Sequence, residues 1–175
     1  MQLKSRNFRE GETTPGEFAF AVADPKNHFA LGTNRNPHLE WSDVPEGTKS
    51  FVLTLHDYDV PSQTDDVNQE GKEVSASLPP MNFFHWLLWD IPPNTREIES
   101  GSHGNGVTPR GKPGPDGPDD LRHGINDYTQ WFAGDSRMEG TYYGYDGPAR
   151  PWNDSIVPEL KVRGERTGPN LLALI

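Results

Sequence analysis

Short apolar runs alternate with spacers rich in proline and glycine along this chain, and the clearest of them carry the two-residue period of strands. Residues 18–22 (FAFAV) and 51–56 (FVLTLH) read as strands, the second with Phe51, Leu53 and Leu55 on one face. Residues 83–91 (FFHWLLWDI) are almost continuously apolar and are closed by Pro92 and Pro93. That pattern predicts a strand covered on both faces, in the middle of a sheet. A weaker aromatic strand is predicted over 140–145 (GTYYGY). Helical signal is scarce. Residues 45–48 predict a turn, 126–133 hold one or two helical turns, and Pro169 ahead of an apolar run predicts the first turn of a terminal helix. Two polar connectors, 62–82 and 100–124, exceed the usual loop length of a compact domain, which marks them as functional or mobile. The pattern as a whole predicts a mostly-β domain with a short terminal helix.

Composition narrows the classes. With 175 residues the chain has room for one domain spanning 1–175. Gly 18 and Pro 17 together make a fifth of it, high for a helical protein, and 8 Phe, 5 Trp and 5 Tyr must supply most of a thin core. The formal net charge of −10 argues against nucleic acid or an anionic membrane as partner, since both need clustered basic residues. Cysteine is absent, which removes disulfide scaffolds, thiol catalysis and Cys-ligated metal sites. Residues 1–9 are charged, without the apolar stretch of a signal peptide, and no transmembrane run follows, so cytoplasmic residence is the expectation.

Candidate chemistry collects at strand ends. In His56-Asp57-Tyr58-Asp59-Val60-Pro61 the two carboxylates at i and i+2 of extended chain share a face and could line a cleft; equally, Asp57 could close an Asx-turn before Pro61. His85 interrupts the apolar run 83–91, so its ring must find a hydrogen-bond partner, either as a satisfied core histidine or paired with a neighbouring Asp to give a tunable proton. The remaining histidines show no metal-ligand spacing, so neither a metal nor a cofactor is expected. Gly147-Pro148 reads as a turn that could aim backbone N–H groups at an anion.

Taken in order, NPHLEWSDVPEGTKSF (36–51), LHDYDVPS (55–62), FFHWLLWDIPP (83–93), GINDYTQWFAGD (124–135) and YYGYDGPARPWND (142–154) resemble the phosphatidylethanolamine-binding proteins, the family of the Raf kinase inhibitor proteins and their bacterial relatives. The resemblance implies a β-sandwich-like fold with a large central antiparallel sheet, a smaller second sheet and short peripheral helices. It also implies a small pocket at one edge that takes phosphate, acetate or a phosphoethanolamine-like head group. Matched residue by residue, the pocket would draw on Asp57, Asp59, Val60 and Pro61, with Tyr58 where the family usually has proline, on His85, and on Gly147 and Pro148. Arg150 would add a cation near the mouth. After Asn153-Asp154 the family pattern continues into a core strand bearing another pocket histidine, whereas here 155–175 resembles the later connector and a truncated helix, as though one core strand were missing after Val157.

The function so implied is the binding of a small anion by a non-enzyme, with backbone N–H groups near Val60 and Gly147 as donors, His85 protonated or donating through one nitrogen, and Asp57 orienting it and favouring its charged form. A second reading is an interaction module that inhibits a protein kinase or serine protease through the two long loops. A third is a hydrolase using the Asp57–His85 pair as acid and base.

Overall fold

The computed structural model describes residues 1–9, 11–75 and 77–153, and the backbone of 170–174. Its strands are β1 (Gln2–Lys4), β2 (Ala21–Asp24), β3 (His28–Leu31), β4 (Leu39–Ser42), β5 (Phe51–Pro61), β6 (Pro80–Ile91), β7 (Glu97–Ile98), β8 (Arg122–His123) and β9 (Asn170–Leu174), with one α-helical turn, α1 (Tyr128–Trp131). They form a four-stranded sheet in the order β8-β6-β5-β9, a three-stranded sheet β1-β4-β7 and the β2-β3 hairpin, with every strand pairing antiparallel. The mostly-β expectation holds.

The long pair β5-β6 is the frame. Phe51, Leu53 and Leu55 of β5 and Trp86, Leu88 and Ile91 of β6 pack against Leu39 and Trp41 of β4, which places the main core between the two sheets. Trp86, Leu88 and Ile91 are completely buried. Burying side chains of this size stabilises by about 1.5–3 kcal/mol each, and this cluster is where the aromatic-weighted composition goes. A second cluster of Phe20, Phe83, Tyr128 and Tyr142 lies on the other side of β6. Residues 83–88 of β6 therefore serve two different interiors, which is why this stretch is apolar at every position but His85.

The ladder between β5 and β6 slips at the histidine. Leu55 stands opposite Trp86 and His56 opposite Phe84, so His85 has no opposite number. Such an extra residue bends and twists its strand. Past it, Asp57 faces Phe83 and lies in the wall of a cavity instead of continuing the Phe51-Leu53-Leu55 core stripe.

Three expectations change. Residues 18–22 are not one strand: Gly16–Phe18 is a 3-10 turn, and β2 starts at Ala21 once Phe18 and Phe20 have buried their rings. Residues 140–145 make single bridges, Tyr142 with Lys112 and Tyr143 with Ile125, and no strand. Gly144 breaks that run with φ +78°, where a Cβ would stand 2.5 Å from His123 Nδ1. The terminal run forms β9, paired along Val52–His56 of β5, instead of a helix, because an unpaired edge of the central sheet is there to be satisfied. The connectors anchor on the body at a few points: Val67 and Val74 of the first and His103, Leu121 and His123 of the second are buried. The expected absence of a core strand after Val157 falls outside the described residues.

Candidate functional site

At the end of β5 and β6 a cavity of about 150 Å³ opens among Asp57, Asp59, Val60 and Pro61 of β5, Phe83 and His85 of β6, Tyr128 and Trp131 of α1, Phe20, Phe132 and the segment Pro148 to Pro151. Phe29 and Asn68 complete the lining. Six of the seven residues read as ligand-binding, namely Asp57, Asp59, Val60, Pro61, His85 and Pro148, thus line one hollow. Gly147 stands behind its wall. Its N–H donates to Asn34 Oδ1 at 2.8 Å and its carbonyl accepts the Tyr128 hydroxyl at 2.7 Å, so its amide is spent inside the fold.

His85 is the buried polar group of the floor, 3% exposed. Its Nδ1 lies 2.9 Å from the carbonyl oxygen of Asp146, and the Asp146 N–H donates back to the His85 carbonyl at 3.0 Å. A carbonyl can only accept, so Nδ1 carries the proton and Nε2 keeps a lone pair. That Nε2 is buried without a hydrogen-bond partner among the described residues. Burial pushes the ring down to about 4, the Asp146 carbonyl pulls it up, and the nearby His56 lowers it further. Two expectations are corrected here: Asp57 does not orient His85, and the ring is neutral near pH 7 instead of charged. The main-chain oxygen of Asp146 holds the ring, and burial outweighs any attraction to carboxylates.

Asp57 forms the Asx-turn left open by the sequence: the Asp59 N–H donates to its Oδ1 at 2.9 Å. Its pKa is raised, first by burial and then by the Asp59 charge, with the Asp59 N–H opposing. The same carboxylate is therefore both turn-closer and cavity wall. The hydrogen bond between Asp57 and His85 that an acid–base pair would need is not formed.

A polar brace that the sequence reading missed holds the far wall. Asp146 is completely buried. It accepts from Asn34 Nδ2 at 2.7 Å and from Asn126 Nδ2 at 2.8 Å, and pairs with Lys112 Nζ at 3.0 Å. Lys112 also donates to the Tyr145 carbonyl. Buried charge needs this degree of pairing. The signal was present as Asp146 immediately before Gly147-Pro148, but its partners are scattered from 34 to 126. Also unread was the aromatic wall. Phe20 stacks on Tyr128 at 4.5 Å, and Phe83 meets Tyr128 edge-on at 5.0 Å and Trp131 at 5.8 Å. Asp127 sets α1 on β6, accepting the Phe84 N–H at 2.6 Å.

Away from the cavity, His38, Glu97 and Glu99 lie close enough to share an ion. Arg6 already pairs with Glu97 at 2.6 Å, and its N–H donates to His38 Nδ1, which leaves the proton on Nε2 toward Glu97. That group is an ion-pair cluster with its cation in place. No helix among the described residues is long and apolar enough to cross a membrane.

The family model described as phosphatidylethanolamine-binding protein matches residues 4–157. The chain belongs to that family. Among relatives of this phosphatidylethanolamine-binding protein family member, a UPF0098 protein of Aquifex aeolicus is 34% identical over 137 residues, covering 73% of this chain and 64% of the relative. The UPF0098 protein YbhB of Escherichia coli is 32% identical over 102 residues, covering 58% of this chain and 50% of its own. The chain thus spans between half and two thirds of the length of these relatives. The crystal structure of E. coli YbcL, described as a new member of the mammalian PEBP family, matches with TM-score 0.51 and 24% identity over 86% of this chain and 66% of that one, a likeness of fold.

Proposed function

We propose that this protein binds a small phosphate- or carboxylate-bearing ligand, such as phosphate, acetate or a phosphoethanolamine-like head group, in the cavity between β5, β6 and α1. The observation that carries the reading is the buried Nε2 of His85 on the floor of that cavity, without a partner among the described residues. A polar atom withdrawn from water without a partner costs stability, and a ligand that hydrogen-bonds to it recovers that cost. Arg150 and Asn68 stand in the same lining, and the aromatic wall takes the apolar part of a ligand. The volume suits a small head group, since a water occupies about 30 Å³ of liquid. In this reading Asp57, Asp59, Val60, Pro61, His85 and Pro148 meet the ligand, while Gly147 positions Pro148.

Calorimetric titration of phosphate, acetate and phosphoethanolamine near pH 6 tests this. Binding is expected in the intact chain, and its loss is expected in His85→Ala with the fold retained by circular dichroism. Equal affinity in His85→Ala would remove the cavity from the function.

A further inference from the structure

The acceptor character of the cavity floor restricts which anion fits. His85 is held at Nδ1 by the Asp146 carbonyl, so the neutral ring turns a lone pair, not an N–H, toward the ligand. Beside it stand the carboxylates of Asp57 and Asp59 from β5. Of the other groups facing the ring, His56 on β5 adds a repulsion to any charge on His85, and Tyr128 of α1, 5.8 Å away, gives its hydroxyl proton to Gly147. Arg150 is the cation of the lining. A fully deprotonated anion would therefore meet a lone pair and carboxylates at its inner end. It binds more tightly with a proton between it and the floor.

Resting on the anion-binding reading above, we infer that the cavity selects phosphate monoesters bound as the monoanion, whose P–OH donates to His85 Nε2, over phosphodiesters and sulfate esters, which carry no such proton. Magnitudes decide where the proton comes from. Charging His85, with its pKa pushed down to about 4, costs about a thousandfold in affinity at pH 7. A phosphomonoester with a second pKa of about 6 is still about one tenth monoanion there, a cost of only about tenfold. The ligand's own proton is the cheaper by about a hundredfold. An intact phospholipid head group is a phosphodiester and lacks this proton; the free head group is a monoester and has it. The walls of Phe20, Phe83, Trp131 and Phe132 favour an apolar or aromatic substituent on the ester.

The test compares phenyl phosphate, methyl phenyl phosphate and phenyl sulfate by calorimetry from pH 5 to 8, each in two buffers of different ionisation enthalpy. Phenyl phosphate should bind at least about thirtyfold tighter at pH 6 than the other two. Above pH 6 its affinity should fall about tenfold per pH unit, with uptake approaching one proton. 4-Nitrophenyl phosphate, whose nitro group lowers the second pKa, should move that break down by the same interval, which separates a ligand-borne proton from one taken up by His85 or Asp57. Diester or sulfate binding as tight as the monoester, or a break that stays fixed across ligands, overturns the selectivity while leaving an anion pocket standing. Silence of all three compounds and of inorganic phosphate at every pH overturns both readings.

Discussion

His85 and Asp146 hold each other twice, the ring Nδ1–H donating to the Asp146 carbonyl at 2.9 Å and the Asp146 N–H donating to the His85 carbonyl at 3.0 Å. One contact fixes the tautomer of the cavity histidine, and the other fastens the segment that carries Gly147 and Pro148 to β6. Binding chemistry and loop position therefore rest on the same pair of residues.

Acid should weaken the fold through His85. In the unfolded chain its ring takes a proton near pH 6.5, in the folded chain only near 4, so between those values the unfolded state binds more protons and stability falls as pH falls. That stability is fully present above about pH 6.5, and roughly 3 kcal/mol of it is lost by pH 4. Denaturant midpoints of the intact chain and of His85→Gln at pH 7 and 4.5 measure it. A slope with pH as steep in the variant as in the intact chain would assign the acid sensitivity to other groups.

Removing the carboxylate of Asp146 takes the counter-charge from the buried Lys112 ammonium and one acceptor from each of the Asn34 and Asn126 amides. Asp146→Ala should cost about 3–5 kcal/mol, the range for breaking a buried ion pair, and the double variant with Lys112→Met should recover part of that loss. Urea unfolding of both variants decides it, since simple additivity would mean that the pair is not coupled.

Gly147 admits no side chain. A Cβ there would lie 1.9 Å from the Phe18 carbonyl oxygen, which is backbone and cannot swing aside. Gly147→Ala should lower stability by at least about 3 kcal/mol. A melting temperature within a degree or two of the parent would show that the Phe18 turn moves freely.

Tyr128 is a milder probe of the same wall. Tyr128→Phe keeps the stack on Phe20 but leaves the Gly147 carbonyl without the hydroxyl at 2.7 Å. A loss of about 0.5–1.5 kcal/mol is expected, with the fold intact. Thermal denaturation is sufficient to read it, and a loss several times larger would mean that the hydroxyl serves more than one carbonyl.

Much of the fold was legible. The FVLTLH and FFHWLLWDI runs are strands because their apolar positions repeat at the strand period and have two interiors to fill. The GTYYGY run misled, because aromatic content favours strands only where a neighbouring ladder is free, and Tyr142 and Tyr145 are buried as packing groups in irregular chain. The terminal LLAL misled in the opposite direction: proline followed by an apolar run suits a helix start, but the open edge of β5 makes it a strand.

By itself the sequence determined which residue types could meet, since an acid pair at the end of one strand, a histidine in another and a Gly-Pro turn are local facts of spacing. Only the tertiary structure decided their chemistry. The proton on His85 sits at Nδ1 because the carbonyl of a residue sixty-one positions away accepts it, and Asp57 reaches the cavity because the ladder slips at His85. Protonation depends on burial and on partners brought from afar, and neither is encoded in the spacing of neighbours along the chain.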